Sequence, residues 1–116
     1  MNENVVNMKI TRTSITMEDH GCLTFYIYLE GASTGVCYGG YNIGRGYLGA
    51  DKFEGFGQGL EAMMHIMDVV GVEKWEDLPG KYVRMVDPGL GGIVNTIGNI
   101  IQDKWFNIKE FFSEVN

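Results

Sequence analysis

The residues with the clearest chemical potential lie on one predicted helix. Glu61, His65 and Asp68 are spaced by four and three residues, so a helix would place all three on one side. Two carboxylates and an imidazole can bind a metal ion or transfer a proton. The chain has no HExxH motif, however, and its other histidine, His20, lies in a distant predicted turn. We interpret the three residues as an exposed polar stripe.

The hydroxyl and thiol groups show no context that would activate a nucleophile. Ser14 and Ser33 are not in a nucleophile elbow, and neither Cys22 nor Cys37 has a recognisable basic partner. The cysteines lack CxxC spacing, so we expect reduced core thiols, with pairing across adjacent strands as the alternative. The sequence therefore predicts no catalytic residue, no metal, no cofactor and no enzymatic activity.

A glycine-rich segment at residues 44–59 contains two further motifs. Residues 44–49 match GxGxxG, but a dinucleotide fingerprint must open directly into a helix, and here residues 50–59 intervene. Residues 55–59 do lead into the predicted helix, and their N–H groups could hold an anion with help from Arg45 and Lys52. This predicts an alternative function, a module that sequesters a nucleotide signal. The simpler interpretation is a flexible loop with turn glycines.

The charge of the chain favours a basic partner over direct binding of nucleic acid. The net charge is −6 and the pI about 4.7, which opposes the release of counterions from phosphates. We expect one group of carboxylates at turns near one end of the first sheet: Glu18, Asp19, Glu30, Asp51 and Glu54. A second group is Glu73, Glu76 and Asp77. Either group can be a solvated surface or can imitate phosphates for a basic groove.

Aromatic residues accompany the glycines, as in many recognition surfaces. They lie within or beside the glycine-rich segment: Tyr38, Tyr41, Tyr47, Phe53 and Phe56. Combined with the first acidic group and Arg45, they define the predicted partner-binding residues. These are Glu18, Asp19, Glu30, Tyr41, Arg45, Tyr47, Asp51, Phe53, Glu54 and Phe56.

The elements that must position these residues form an α+β pattern. Alternation predicts a meander of strands at 8–17, 22–29 and 36–43, with a bulge near 12–14 in the first strand. A central helix is expected at 60–70, ended by Gly71, and a hairpin at 81–86 and 93–101. The buried side of the helix is predicted to be Leu60, Met63, Met64, Met67 and Val70.

A short C-terminal helix completes the predicted order β-β-β-α-β-β-α, an antiparallel sheet packed against the central helix. Asn107 caps this last helix, and Ile108, Phe111, Phe112 and Val115 form its apolar side. With 116 residues, we expect a single domain spanning 1–116. No apolar run is long enough for a bilayer and no signal peptide is evident, so we expect a cytoplasmic protein.

Two segments resemble small uncharacterised proteins encoded by phages and prophages. They are residues 71–84, GVEKWEDLPGKYVR, and residues 97–106, IGNIIQDKWF. The Gly-Gly-Tyr at 39–41 and the helix after it resemble the same group. The resemblance covers most of the chain, but its motifs are turns, strands and a cap. It therefore implies a mobile-element origin and no activity.

Small acidic proteins of that origin are often inhibitors of bacterial immunity, of which anti-CRISPR proteins are the best-known type. Our leading hypothesis is an inhibitor that occupies a basic nucleic-acid groove of a host defence protein, such as a CRISPR effector, in the host cytoplasm. The alternatives are the nucleotide-sequestering module and a phage structural or assembly protein that forms a homo-oligomer.

We predict that charge reversal at Glu18, Asp19, Asp51 and Glu54 abolishes inhibition without unfolding the chain, since these carboxylates would steer the inhibitor to a basic groove. Effector activity and circular dichroism, measured on the same variant, test this. Unchanged inhibition in a folded variant would exclude these residues as the contact.

Overall fold

The computed structural model describes residues 4–17, 21–32, 34–46, 49 and 51–113. Within these residues the chain is an α+β fold, with seven strands in one antiparallel sheet and two α-helices. The strands are β1 Val5–Met17, β2 Cys22–Glu30, β3 Gly35–Arg45, β4 Glu54–Gly55, β5 Tyr82–Val86, β6 Thr96–Asn99 and β7 Trp105–Asn107. The helices are α1 Gly57–Val70 and α2 Ile108–Ser113.

The sheet consists of two meanders that share β1. The strand order is β4-β3-β2-β1-β5-β6-β7, so β1 lies at the centre. Residues 9–17 of β1 pair with β2, whereas residues 5–9 pair with β5. This stagger, together with strand twist, curls the sheet into a half-barrel. The predicted three-strand meander and the β5–β6 hairpin are confirmed.

A bulge in β1 lies where the sequence pattern changes phase. The pairing with β2 shifts between Ile10 and Arg12, so Thr11 is the extra residue, one position before the predicted range. The shift allows Ile10 and Ile15 to face the same side of the sheet despite their odd spacing, because they lie opposite Leu29 and Phe25. Phe25 and Leu29 are buried, as the alternation in β2 predicts.

The core fills the concave side of the curled sheet. Its members include Met8, Ile10, Phe25, Ile27, Tyr38, Ile66, Val69, Leu78, Val83, Met85, Ile97 and Phe106. The Tyr38 hydroxyl donates a hydrogen bond to the Asn95 carbonyl at 3.0 Å and lies 3.3 Å from the Phe106 carbonyl oxygen. These contacts connect β3 to β7 across the open side of the half-barrel. Burial raises the pKa of Tyr38, which keeps this donor protonated.

The central helix is confirmed, but its position and buried side differ from the prediction. Helix α1 does not lie across the middle of the sheet; it contacts β3, β6, β7 and α2 and so closes the half-barrel. The predicted apolar side is only half-buried or exposed. The buried residues are Gly59, Ala62, Ile66 and Val69.

Close packing at the start of α1 explains why a different side of the helix is buried. A Cβ built on Gly59 would lie 2.3 Å from the Asn42 carbonyl oxygen and 2.9 Å from the Ile43 Cα. Only glycine permits this approach, and the small Ala62 follows one turn later on the same side. The larger Leu60 and Met64 lie off this side and are 50% and 66% exposed.

The predicted turns and caps at Gly71, Gly80 and Asn107 are confirmed, and the two shortest strands were missed. Gly71 ends α1 in the left-handed conformation, with φ 95° and its N–H bonded to Met67. Gly80, also with φ 95°, occupies the turn closed by the Lys81 N–H to Leu78 carbonyl bond. Asn107 Oδ1 accepts the Glu110 N–H at 2.9 Å, as a helix cap does. The prediction lacked β4 and β7, which are too short to show a periodic pattern.

The cysteines correct another expectation. Both are free thiols, but Cys37 is exposed and Cys22 is half-buried, so they are not core residues. They lie opposite Tyr28 and Arg45 respectively, near opposite ends of the β2–β3 pair. In the described part of the chain, no helix is both long and apolar enough to span a membrane.

We predict that Gly59→Ala lowers the free energy of unfolding by about 1–3 kcal/mol, because the new methyl group overlaps the β3 backbone. Gly57→Ala is the matched control, since a Cβ there meets nothing within 4 Å. It should leave stability unchanged or raise it by up to about 1 kcal/mol. Urea unfolding of both variants tests this, and equal effects would contradict the packing argument.

Candidate interaction surface

The predicted binding residues separate into two places in the structure. Arg45, Asp51, Phe53 and Glu54 lie together where β3 and β4 pair, at the end of the sheet that extends beyond β5. We call this region the arm end. It contributes to the elongated shape of the molecule, 49 × 30 × 27 Å. The predicted contacts Glu18, Asp19 and Tyr47 lie outside the described residues.

Two predicted contacts lie away from the arm end, and a third, Phe56, adjoins it. Glu30 is at the opposite end of β2 and faces Lys9 of β1, so it does not join the other carboxylates. The Tyr41 ring stacks on Phe112 of α2 at 4.0 Å between centroids, which is a packing role. Phe56 follows β4 directly, and its N–H bonds to the Ile43 carbonyl of β3 at 2.9 Å. It is half-buried at the N-cap of α1.

An ion pair neutralises part of the arm end. Arg45 Nε donates to Glu54 Oε1 at 2.9 Å, with both side chains more than half exposed. Exposed pairs of this kind contribute about 0.2–1 kcal/mol. The carboxylates of Asp51 and Glu54 are thus accompanied by the cations of Arg45 and Lys52. The described part of the arm end therefore has no excess negative charge.

Phe53 is the most exposed aromatic residue of the arm end. Its side chain is 64% exposed, and its ring lies against Gly46, where a Cβ would come within 2.5 Å of the ring. Gly46 thus allows the ring to lie close to the backbone. An exposed aromatic ring held in place loses little entropy on binding, as contact residues of recognition loops do.

The predicted anion cradle is used in part for packing. Gly55 belongs to β4, α1 begins at Gly57, and Gly59 is the close contact to β3. Arg45, the cation expected to bind phosphate, is bonded to Glu54 instead. The nucleotide hypothesis requires Arg45 to bind phosphate, but its guanidinium is already paired with a carboxylate.

The Glu61, His65 and Asp68 trio is also partly committed to packing. The His65 ring stacks on Phe106 at 4.9 Å between centroids and meets the edge of Phe111 at 5.0 Å. Asp68 Oδ1 accepts a hydrogen bond from Lys104 Nζ at 3.2 Å. Among the described residues, no group of three histidine, cysteine or carboxylate side chains is placed to hold a metal ion.

A different surface on α1 combines carboxylates with exposed apolar side chains. Glu61 and Asp68 are exposed beside Met64, and with His65 they line a shallow groove of about 290 Å³. The acidic character continues past the helix end, where Glu73, Glu76 and Asp77 are exposed around a short 3₁₀ turn. We call the following residues the helix-side surface: Leu60, Glu61, Met64, Asp68, Glu73, Glu76 and Asp77.

This surface was not predicted from the sequence, because helical spacing placed Leu60 and Met64 in the core. Helical spacing could have identified Glu61 next to Met64, but only the rotation of α1 leaves both exposed. The second acidic group was recognised from the sequence. Its position after an exposed helix required the structure.

Cations lie on the opposite side of the molecule, on the face of the sheet away from α1. The Arg12 guanidinium carbon is 3.8 Å from the Tyr28 ring centre, and that of Arg84 is 4.5 Å from the Trp105 ring centre. Lys9 Nζ lies 6.0 Å from the Tyr82 ring centre. These three cations are therefore separated from the helix-side surface, but each side also holds the opposite charge: Lys104 pairs with Asp68 on α1, and Glu30 lies opposite Lys9 in the sheet.

Comparisons with known proteins gave no match. No family model matches the chain, and no curated protein or solved structure matches it at a significant level.

Proposed function

We propose that this chain is a non-catalytic, phage- or prophage-encoded protein that inhibits a host defence complex by occupying a basic nucleic-acid groove. A CRISPR effector is the type of target that we expect. The observation that carries the proposal is the helix-side surface, where the exposed carboxylates Glu61 and Asp68 line a groove with the exposed Met64. The phage origin rests on the sequence resemblance alone.

Charge complementarity supports this surface over the arm end. The carboxylates Glu61, Glu73, Glu76 and Asp77 form no ion pair within the described residues, and Lys74 is the cation among them. At the arm end, in contrast, Arg45 is bonded to Glu54. Unpaired carboxylates attract a basic groove without first breaking an internal ion pair. We therefore place the electrostatic contact on the helix side rather than at the predicted turns.

Exposed apolar side chains give the surface a means of holding its partner after encounter. Leu60 and Met64 are one helical turn apart and are both at least half exposed. Burying apolar side chains stabilises a complex by about 25 cal/mol per Å², whereas charges at the rim mainly affect the association rate. Methionine also adapts to irregular surfaces because its side chain is unbranched and flexible.

We predict that Glu61→Lys with Glu76→Lys slows association with a sensitive CRISPR effector by at least about tenfold at low salt. The matched control is Asp51→Lys with Glu54→Lys, which changes the net charge of the chain equally but lies at the arm end. Association rates over a salt series, with each variant checked by thermal unfolding, distinguish the two surfaces. A loss of binding in the arm-end variant alone would return the contact to the turns.

We further predict that Met64→Ala accelerates dissociation from the same effector severalfold, because a central apolar contact is lost. Leu90→Ala is the control, since Leu90 is fully exposed in the β5–β6 loop. Both substitutions should change stability by no more than about 0.5 kcal/mol. Equal dissociation rates for the two variants would exclude the exposed side of α1 from the interface.

A further inference from the structure

Half of β1 is a sheet edge on one side. Residues 9–17 pair with β2, but the pairing of β1 with β5 ends at Lys9 and Tyr82. The last contacts beyond that point are the Ile10 N–H to the Lys81 carbonyl at 2.8 Å and the Gly80 N–H to the Ile10 carbonyl at 2.7 Å. No described strand pairs with Thr13, Ile15 or Met17 on that side.

The pairing pattern identifies which backbone groups face this edge. Ile10 directs both its N–H and its carbonyl toward β5, so its opposite residue on β2, Leu29, is not hydrogen-bonded to it. Residues of an antiparallel pair alternate between bonded and non-bonded positions. The bonded residues of β1 are therefore those opposite Tyr28, Tyr26 and Thr24. By the same alternation, Thr13, Ile15 and Met17 direct their N–H and carbonyl groups to the unpaired edge.

This edge lacks the features that protect natural sheet edges. Such edges usually contain lysine, proline or an inward-facing charge. None of these occurs at Thr13, Ile15 or Met17, and Ile15 and Met17 are 43% and 38% exposed. Residues 11–17, TRTSITM, are rich in β-branched side chains and contain one charge, no glycine and no proline. That composition is typical of segments that pair with copies of themselves.

We propose that a second copy of this chain pairs with residues 13–17 of β1, antiparallel and related by a two-fold axis at Ile15. Each Ile15 then exchanges both backbone hydrogen bonds with its symmetry mate, and Thr13 does so with Met17 of the second copy. The axis brings the two exposed isoleucine side chains together on one face of a continuous sheet. Arg12, three residues from the axis, does not face its own copy.

The Gly80–Lys81 contact at Ile10 explains why the axis is at Ile15. It blocks the edge before residue 11, so a second strand centred nearer to Arg12 would collide with residues 80 and 81. A strand centred at Ile15 remains clear of them. The paired segment buries less than the about 800 Å² per partner that stable interfaces bury. The dimer is therefore concentration-dependent.

A cysteine substitution tests the pairing and its register. In full-length protein with Cys22→Ser and Cys37→Ser, Ile15→Cys should form a covalent dimer under mild oxidation. Hydrogen-bonded antiparallel neighbours have Cα atoms about 5.5 Å apart, within the range of a disulfide. Asn7→Cys, an exposed position where β1 is paired on the β5 side, is the control. Thr13→Cys and Met17→Cys should cross-link to each other when mixed, and not alone.

Sedimentation of the unmodified protein provides a second measurement. Its mean mass should rise toward that of a dimer between micromolar and near-millimolar concentration. Thr13→Pro, which removes an edge-facing N–H and no internal bond, should weaken the dimer at least about tenfold. Thr13→Ala, which keeps the N–H, should not. A monomer at all concentrations, or equal cross-linking of the Ile15→Cys and Asn7→Cys variants, would overturn the proposal.

Discussion

The contact between α1 and β3 at Gly59 is the constraint on which the arrangement of this protein depends. Because the helix approaches the strand backbone so closely, the side that faces the sheet must begin with glycine and alanine. Ile66 and Val69 complete that side deeper in the core. The larger Leu60 and Met64 are excluded from it and remain at the surface. The packing of the core and the composition of the helix-side surface thus have one cause.

The central position of β1 has a comparable influence on the sheet. Strand β1 belongs to both meanders, but its two halves pair with different neighbours. Each half therefore has a stretch with a strand partner on one side only. At residues 5–9 the turn after β2 lies nearby, since a Cβ on Gly31 would touch Met8. At residues 11–17 no described residue fills the corresponding place. The stagger that curls the sheet around its core therefore also leaves an edge exposed.

The distribution of charge matters more than its total. A net charge of −6 argues against nucleic-acid binding by the chain as a whole, yet Lys9, Arg12 and Arg84 occupy one face and rest on aromatic rings. Exposed charges are screened beyond about 8 Å at physiological ionic strength. With a shortest dimension of 27 Å, opposite sides of the molecule are electrostatically separate. A partner therefore meets a different local set of charges according to the side it approaches.

The sequence by itself determined the elements that depend on local chemistry. Alternation in β2, the phase change around Thr11, the left-handed glycines Gly71 and Gly80 and the Asn107 cap all result from the residues at or next to those positions. The tertiary structure decided what depends on distant neighbours. Strands β4 and β7 exist because β3 and β6 supply their hydrogen bonds, and the backbone of β3 selects the buried side of α1. The candidate surface belongs to this second class, because hydrophobicity indicates which side chains prefer burial but not which ones a close backbone contact excludes.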